Sequence, residues 1–283
     1  MHVGAHALHY GSGVFEGIRC YETAAGPAVF RLRDHLQRLH DSAGILSLDI
    51  PYSVDELAEA TRELVRVNGL VSCYIRPIAF HGYGGLSVAP TGNAVDTAIL
   101  SFAWGAYLGD GSLENGITAA ISSWRRVGPN VIPHAAKATG VYLNSMLATM
   151  EARRAGYEEA ILLDAAGNVA DGPGENLFVV RDGVVRTPAL AGSILPGVTR
   201  DSVVAIARSL GYAVEEATLI RTDLYLADEV FMTGTAAEVT PVRAVDDVEL
   251  GVGPITRELQ EVYLGAVHGR DERWDAWLDR IPT

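Results

Sequence analysis

The sequence predicts a mixed α+β fold with two domains. Segments in which apolar and polar residues alternate, as in strands, are interspersed along the chain with segments of amphipathic helical period, and no fixed repeat occurs. A chain of 283 residues with 48% hydrophobic content suits one large α/β domain or two smaller ones. Residues 105–116, rich in glycine and acidic side chains, interrupt the pattern and favour two domains.

The first part of the chain is predicted to contain strands at residues 13–22, 73–80 and 96–104, and helices at 32–46 and 53–69. Alternation in the first strand places Phe15 and Gly17 on one face and Glu16 on the other. The second helix has Ser53 as its N-cap and Gly69 past its end. Both helices are amphipathic, so each is expected to bury one face.

The second part begins with a strand at residues 117–124 and a helix that ends near Arg154. Turn residues at 165–168 and 181–183 each predict a hairpin-like pair. The remaining predicted elements are a helix at 200–211, a strand at 228–234 and a last helix from about Pro254 to His268.

The predicted domain boundary is the glycine-rich, acidic segment GAYLGDGSLENG. We expect a small N-terminal domain at residues 1–101, an interdomain loop at 102–113 and a larger C-terminal domain at 114–283. Lys137 then lies early in the second domain.

Net charge excludes one class of partner. The formal charge is −13, and the arginines are scattered among thirty-five acidic residues. A protein that binds nucleic acid or an anionic membrane needs a basic surface that displaces counterions, so neither partner is predicted. No apolar run approaches the length of a membrane span, and the first residues lack the pattern of a signal peptide.

No metal site is predicted from the cysteines or the histidines. Cys20 and Cys73 lie far apart without CxxC spacing, which argues against a disulfide framework or a zinc site and favours the reducing cytosol. The histidines near the start have a spacing that could bind metal on a helix, but a glycine between them disfavours that helix; they are His2, His6 and His9.

Lys137 is the single lysine of the chain, whereas twenty-one residues are arginine. A lysine amine can lose its proton and attack a carbonyl carbon, which a guanidinium cannot do. Small residues surround it in IPHAAKATG, and Tyr142 follows five positions later. The alternative is a drift of composition toward arginine that left one lysine by chance.

Three other segments could bind parts of an anionic ligand. Residues 196–199 open a helix, where free N–H groups and the helix dipole attract anions, unless Thr199 is only an ordinary N-cap. Asp171 and Glu175 flank a Gly-Pro-Gly bend and could face a ring nitrogen, or could be solvated acids of a surface turn. Residues 234–237 follow a strand and offer turn amides to a carboxylate, or form a structural turn.

Motifs in a fixed order along nearly the whole chain identify a family. They are HALHYGSGVFEGIR, YIRP, WGAYLG, IPHAAKATGVYLNS, GPGENLF, LPGVTRD, YLADEVFMTGTAAEVTPV and the region 274–278. Together they strongly resemble the branched-chain amino-acid aminotransferases, which are fold-type IV pyridoxal-phosphate enzymes. The resemblance implies a fold like that of D-amino-acid aminotransferase, with a small α/β domain and a larger β-barrel-like domain.

The resemblance implies that Lys137 forms the internal aldimine with pyridoxal 5'-phosphate. Its amine, once released, moves a proton between the substrate Cα and the cofactor C4′. Tyr142 would hydrogen-bond the ring oxygen of the cofactor, and Asp171 would face its pyridine nitrogen. The cofactor-binding residues implied in this way are Arg38, Lys137, Tyr142, Asp171, Leu195, Val198, Thr199 and Thr235.

The resemblance also implies ping-pong transamination between leucine, isoleucine or valine and 2-oxoglutarate. Apolar side chains would receive the aliphatic substrates, while Tyr10 and Arg76 would meet the second carboxylate of glutamate. A partner subunit would help to close the pocket, which implies a homodimer or an assembly of dimers. The implied substrate-binding residues are Tyr10, Phe15, Gly17, Tyr74, Arg76, Trp104, Tyr107, Thr235 and Ala236.

Other activities of the same fold are the nearest alternatives. They are D-amino-acid or (R)-amine transamination and the aminodeoxychorismate lyase reaction, and the motifs YIRP and GTAAEVTPV favour the branched-chain group. A protein of another class, which binds the cofactor without catalysis, is also conceivable.

Two departures from the family pattern stand out. The acid that faces the pyridine nitrogen is normally glutamate, whereas the matching position here is Asp171, so Glu175 is an alternative partner. Family members also carry a strand before the segment HALHYG, near which this sequence starts. A truncated sequence, a misassigned start or a true lack of that strand, with an exposed sheet edge, are all open.

Overall fold

The structure is a computed structural model that describes residues 1–105, 107–109, 111–128 and 130–281. Its chain divides into two compact units, of which the first comprises Met1–Trp104, His134–Tyr142 and Ala266–Thr283 and the second Gly105–Pro133 and Leu143–Gly265. The first change of unit falls inside the predicted loop 102–113, in which Ala106 and Asp110 lie outside the described residues. Residues 134–142 and 266–283 group with the first unit, although the predicted division gives them to the second. As separately folding domains, the predicted segments stay a prediction.

The first unit contains both strands and helices. Its elements are α1 (His6–Tyr10), β1 (Gly13–Phe15), β2 (Ile18–Thr23), β3 (Gly26–Phe30), α2 (Leu32–Ile45), α3 (Val54–Val67), β4 (Cys73–His81), β5 (Val95–Phe102), 3₁₀ helices at Thr139–Val141 and Glu272–Trp277, and β14 (Leu278–Arg280). Within the described residues its sheet has the order β1-β4-β2-β3-β14, and β5 also pairs with β4. Each of these pairs is antiparallel.

The strand predicted at residues 13–22 is two strands in one register. Phe15 of β1 lies opposite Ile78, and Ile18 of β2 lies opposite Ile75 of the same strand β4. The ladder is interrupted at Glu16 and Gly17, where the Gly17 amide donates to the Glu16 carboxylate, 3.2 Å away. The side-chain alternation therefore continues across the gap.

The helices α2 and α3 pack on one hydrophobic core. Leu36 and Leu39 of α2 and Leu57 of α3 are buried in a cluster that also contains Ile18 and Ile75. α3 begins as predicted: the Ser53 side chain accepts from the Glu56 amide and the Glu56 carboxylate accepts from the Ser53 amide. This reciprocal cap satisfies two amides that a helix start leaves unpaired.

The second unit is also mixed. Its elements are α4 (Ser112–Asn115), β6 (Ile117–Arg125), α5 (Tyr142–Arg154, whose first residue belongs to the first unit), β7 (Glu159–Leu163), β8 (Asn176–Arg181), β9 (Val184–Pro188), α6 (Val198–Ser209), β10 (Val214–Ala217), α7 (Arg221–Tyr225), β11 (Glu229–Gly234), β12 (Glu238–Val245), β13 (Val248–Glu249) and α8 (Pro254–Val267, whose last two residues belong to the first unit). In the described chain its sheet has the order β10-β9-β8-β11-β12-β6-β7, with β13 on β12. The pairs β10/β9, β12/β6 and β6/β7 are parallel.

The two predicted turns lie where the sequence places them. Asp182 and Gly183 have φ of 52° and 74° between β8 and β9, as a two-residue hairpin turn requires. After β7 the chain turns at residues 165–168 and runs back beside it, so the Leu162 amide donates to the Asp171 carbonyl, 2.9 Å away. Asp171 is thus fixed next to a buried strand.

In the described part of the chain, no helix has both the length and the apolar character that crossing a membrane requires.

Candidate active site

The Lys137 side chain lies beside two aromatic rings in the first unit. Its Nζ is 2.6 Å from the Tyr142 hydroxyl oxygen and 5.0 Å from the centroid of the Phe15 ring. Its backbone is held on both sides, because its amide donates to Ser42 Oγ over 3.0 Å and its carbonyl accepts from the Phe15 amide over 3.1 Å. An amine next to a phenol on a fixed backbone suits attack on a carbonyl followed by proton transfer.

The Phe15 ring connects Lys137 to a second cation. The Arg76 guanidinium carbon is 4.7 Å from the Phe15 centroid, and the Tyr142 ring meets Phe15 edge-on at a centroid distance of 4.7 Å. Phe15 itself is buried. Four residues predicted from the sequence, Phe15, Arg76, Lys137 and Tyr142, are therefore brought together.

Tyr74 and Arg76 share a face of β4, as their spacing predicts. Arg76 Nη2 donates to the Tyr74 hydroxyl over 2.9 Å, and the Trp104 ring lies 4.3 Å from the Tyr74 ring. Among the residues that the structure describes, the buried Arg76 Nε has no hydrogen-bond partner. A buried guanidinium nitrogen without an acceptor is unfavourable, so this position favours binding of an anionic ligand group.

Gly17 is needed because the Tyr74 phenol occupies the space beside it. A Cβ built on Gly17 would lie 2.1 Å from the Tyr74 hydroxyl oxygen and 2.9 Å from its Cζ. The Tyr74 ring is buried and packs on Trp104, so it has little room to move away.

The substitution Gly17→Ala is expected to destabilise the protein by about 1–3 kcal/mol, the usual effect of overpacking a core. The measurement is the urea midpoint of unfolding, together with KM for an amino donor, which should rise because Tyr74 and Arg76 are displaced. The control is Gly44→Ala in α2, where an added Cβ has no contact within 4 Å in the part of the chain that the structure describes. Equal midpoints for the two variants would contradict the assigned clash.

Tyr10 lies at the surface of the first unit. It ends α1, its side chain is 46% exposed, and its hydroxyl donates to the Leu86 carbonyl over 2.8 Å. Its ring contacts the buried His6 ring at a centroid distance of 4.5 Å. The structure thus gives Tyr10 partners other than Lys137, Phe15 and Arg76.

Arg38 forms an ion pair that sequence reasoning missed. Its Nε and Nη2 donate to the two carboxylate oxygens of Glu16 over 2.7 and 2.8 Å, and His35 Nδ1 lies 2.8 Å from Glu16 Oε2. A signal was present, because Glu16 lies between the apolar Val14 and Ile18 on one face of the predicted strand. An acid at such a position needs buried partners.

Three predicted segments meet at one end of the sheet in the second unit. Thr233 at the end of β11 lies opposite Asn176 at the start of β8. Asn176 Nδ2 donates to the Leu195 carbonyl over 2.9 Å, which ties the segment before α6 to the same place. A Cβ on Gly234 would lie 3.3 Å from the Gly174 carbonyl oxygen. The Gly-Pro-Gly bend, the start of α6 and the turn after β11 are therefore neighbours.

No side chain among the described residues caps the start of α6. The N-cap is Gly197, so Val198 and Thr199 are the first two residues of the helix and both are buried. The alternative in which Thr199 is the N-cap is wrong, because the helix begins two residues before the predicted segment. Uncapped amides and the helix dipole leave this end suited to an anion. The half-buried Thr235 and Ala236 lie in the turn between β11 and β12.

Asp171 is buried and paired with an arginine. Arg126 Nε donates to Asp171 Oδ1 over 2.6 Å, and Arg126 Nη1 donates to Ser145 Oγ over 3.0 Å. Arg126 Nη2 also donates to the Pro173 carbonyl over 3.3 Å, within the glycine-rich bend. One guanidinium thus fixes both the carboxylate and the loop that carries it. No pattern in the sequence distinguishes Arg126 from the adjacent Arg125.

Glu175 differs from Asp171 in its electrostatic surroundings. Burial raises the pKa of Glu175 to about 8, and the nearby carboxylates of Glu159 and Asp171 add to this effect. Burial also raises the pKa of Glu159, whose Oε2 has no partner within the described residues. The Glu175 carboxyl therefore holds a proton at neutral pH.

Tyr107 is near the Gly-Pro-Gly bend, because a Cβ on Gly174 would lie 4.0 Å from the Tyr107 hydroxyl oxygen.

A lysine amine beside a phenol, in a two-sheet mixed fold, fits an enzyme that uses a carbonyl cofactor. Residues 13–245 match the family described as amino-transferase class IV, and the chain belongs to this family. It is 53% identical over 285 aligned residues to the branched-chain-amino-acid aminotransferase of Escherichia coli (strain K12), and the match covers 99% of the chain and 92% of that protein.

Solved structures of such enzymes superpose closely. The crystal structure of the Escherichia coli branched-chain amino acid aminotransferase has a TM-score of 0.97 and 52% identity, over 100% of this chain and 94% of that one. A branched-chain amino acid aminotransferase crystallised with pyridoxamine 5'-phosphate has a TM-score of 0.96 and 50% identity, over 100% and 93% of the two chains. The predicted family and the predicted fold class are confirmed.

Proposed function

We propose that this chain is a pyridoxal-phosphate-dependent transaminase that transfers the amino group of leucine, isoleucine or valine to 2-oxoglutarate. The observation that carries the proposal is the single lysine of the chain, whose amine lies 2.6 Å from the Tyr142 hydroxyl. The curated relative and both solved structures named above are branched-chain aminotransferases, which supports the amino-donor class. The enzyme alternates between two half-reactions.

Each unit, taken by itself, offers groups that suit the cofactor chemically. When bound, pyridoxal phosphate supplies a carbonyl carbon for an amine and a ring that withdraws electrons from the substrate. In the first unit, Lys137 would bind it covalently and Tyr142 would donate to its ring oxygen. In the second unit, the uncapped start of α6 suits the phosphate, and the buried Thr233 Oγ1 has no partner among the described residues.

Phosphate binding is proposed for residues that offer N–H or hydroxyl donors or positive charge. The helix dipole favours an anion at the start of α6, where Val198 and Thr199 are buried. We assign Arg38 in the first unit to the phosphate. In the second unit we assign Leu195, Val198, Thr199 and Thr235 to the cofactor.

Lys137 is also proposed to move the proton at the substrate Cα. Its Nζ is flanked by the Tyr142 hydroxyl and the Phe15 ring, which limit the directions that the amine can take. The Tyr142 hydroxyl can donate to Nζ when the amine is neutral and accept from it when the amine is protonated. Lys137 is thus both nucleophile and proton carrier, which arginine cannot replace.

The substrate site must accept an aliphatic and a charged side chain in turn. Phe15, Tyr74 and Trp104 give the first unit apolar walls, and Gly17 leaves room beside them. Arg76 has a buried Nε without a partner in the described structure, which supports its role toward a substrate carboxylate. We assign Tyr10 and Tyr107 to the rim and the turn amides of Thr235 and Ala236 to the α-carboxylate.

Asp171, rather than Glu175, is proposed to face the pyridine nitrogen. The partner that stabilises a protonated ring must carry a negative charge. Asp171 receives a hydrogen bond from Arg126 over 2.6 Å, which favours its ionised form, whereas the pKa of Glu175 is raised to about 8. The shorter acid is therefore the better candidate.

We further propose that the protein acts in the cytoplasm, in branched-chain amino-acid biosynthesis, as a homodimer or an assembly of dimers. The small-molecule partners are amino acids and 2-oxo acids. Size-exclusion chromatography with light scattering measures the assembly directly.

The test of the function is a half-reaction without turnover. Excess L-leucine added to the protein loaded with pyridoxal phosphate is expected to remove the visible absorbance band of the covalently bound cofactor, and 2-oxoglutarate is expected to restore it. Each addition is monitored with D-alanine as the matched control donor. Loss of the band with D-alanine alone would show a D-amino-acid transaminase instead. If no amino acid removes the band, the protein binds the cofactor without transaminating.

A further inference from the structure

Glu16, His35 and Arg38 form a buried cluster in the first unit, on the opposite face of the strand from Phe15. Glu16 and His35 are at most 1% exposed, and the Arg38 side chain is 12% exposed. His35 and Arg38 are three residues apart on α2, so both side chains point at the strand segment that carries Glu16. Glu16 is held as well by its own backbone, because its amide donates to the Pro77 carbonyl over 2.8 Å.

The cluster carries charge despite its burial. Burial alone would raise the pKa of Glu16, but the Arg38 guanidinium and His35 outweigh it and hold that pKa well below its usual range. Burial likewise opposes the charge on Arg38, and Glu16 outweighs it and raises the pKa of Arg38. A buried ion pair is rarely the most stabilising choice for a core, since apolar residues of similar volume do as well or better. Stability alone therefore does not explain why Glu16 and Arg38 form a buried ion pair.

The geometry of the pair fixes the plane of the guanidinium. Arg38 uses Nε and Nη2 together on the two oxygens of Glu16, which is a bidentate arrangement. Glu16 Oε2 also lies 2.8 Å from His35 Nδ1 and accepts from the Gly17 amide over 3.2 Å, so the carboxylate cannot rotate freely. A planar group that is held along one edge has a defined direction for its remaining N–H bonds.

We propose that Glu16 is a positioning residue, which holds the Arg38 guanidinium in the orientation that binds the cofactor phosphate. The inference rests on the proposed function, in which Arg38 binds that phosphate. Glu16 itself acts only through Arg38.

The same segments also hold Lys137, which supports the inference. Phe15, next to Glu16, donates its amide to the Lys137 carbonyl, and Ser42 of α2 accepts from the Lys137 amide. Arg38 and Ser42 are one turn apart on α2. The strand and the helix that orient the guanidinium therefore also fix the backbone of the amine. A single cofactor molecule would contact both the Arg38 guanidinium and the Lys137 amine, so the distance between these two groups must be fixed. The strand and helix that hold both residues fix that distance.

The test compares two aldehydes that differ only in the phosphate, pyridoxal phosphate and pyridoxal, binding to the apoprotein. Glu16→Gln is expected to lower the affinity for pyridoxal phosphate by about 10- to 100-fold, as the loss of an orienting partner does at metal sites, and to leave that for pyridoxal unchanged. In an Arg38→Met background, Glu16→Gln is expected to have no further effect, because the guanidinium that it orients is absent. Dissociation constants are measured by titration of the protein fluorescence.

Two outcomes would overturn the positioning role. One is an equal loss of affinity for both aldehydes, which a merely structural role predicts. The other is tighter binding of pyridoxal phosphate by Glu16→Gln, which would mean that removing a negative charge near the phosphate matters more than orienting Arg38.

Failure of the proposed function gives a different result. If Arg38→Met does not change the ratio of the two affinities, Arg38 does not bind the phosphate, whatever Glu16 does. If Glu16→Gln does not fold, Glu16→Asp carries the same comparison, because it keeps the charge and shortens the reach by one methylene. An unchanged affinity ratio in Glu16→Asp would then count against the inference.

Discussion

Replacing Lys137 with alanine is expected to abolish transamination, with a loss of at least about a thousandfold in kcat, as for other nucleophiles that act within a catalytic unit. The chain has no second lysine that could supply the amine. The Tyr142 hydroxyl, 2.6 Å from Nζ, would lose its partner but is expected to stay in place through its ring contact with Phe15. The measurement is kcat with L-leucine and 2-oxoglutarate. Borohydride reduction followed by intact mass should add the cofactor mass to the wild type only.

The control is Lys137→Arg, which keeps the positive charge at the same position. It is expected to be as inactive as the alanine variant, because guanidinium does not deprotonate and cannot form the covalent bond. Both variants should still bind pyridoxal phosphate without a covalent link, and their urea midpoints should stay close to that of the wild type. Activity within tenfold of the wild type in either variant would refute the role of Lys137.

The sequence predicts a residue well when one local pattern determines its position. Tyr74 and Arg76 are two apart on a strand, and the structure places them on one face with a hydrogen bond of 2.9 Å. Ser53 and Gly69 follow local capping and turn preferences, and the cap at Ser53 is present as predicted. The shared strand face and the helix cap depend only on the local backbone, which residues adjacent in sequence determine.

Partners that come from distant segments could not be predicted in the same way. Arg126 and Asp171 are forty-five positions apart, and their pairing depends on how the turn after β7 runs back along that strand. The sequence pattern predicts the start of α6 two residues late, because the N-cap is Gly197, a residue without a side chain that could mark the start. The raised pKa of Glu175 depends first on burial, which the acidic sequence of its bend does not indicate.

The acid that serves the pyridine nitrogen is tested by a matched pair of variants, Asp171→Asn and Glu175→Gln. Each keeps the shape of the side chain and removes its ability to ionise. Asp171→Asn is expected to lower kcat because a charge-assisted hydrogen bond worth about 1.5–3 kcal/mol is lost. That free energy corresponds to about a 10- to 150-fold change in rate. Glu175→Gln is expected to keep kcat within about threefold of the wild type, since Glu175 already holds its proton at neutral pH.

Glu175 has a second signature, in the pH dependence of stability. The pKa of Glu175 is about 8 in the folded protein, whereas the ordinary pKa of a glutamate, 4.5, applies to the unfolded chain. At a pH between these two values, the folded state holds a proton that the unfolded chain has released. The contribution of Glu175 to the free energy of unfolding should therefore fall as the pH rises from about 4.5 to about 8, by up to about 5 kcal/mol at 1.36 kcal/mol per unit. Glu175→Gln should lose most of this slope, which urea unfolding at a series of pH values measures. Asp171→Asn should keep most of it, because burial is the largest cause of the raised pKa. A large loss of kcat in Glu175→Gln, with a normal kcat in Asp171→Asn, would exchange the two roles and make Glu175 the partner of the ring nitrogen.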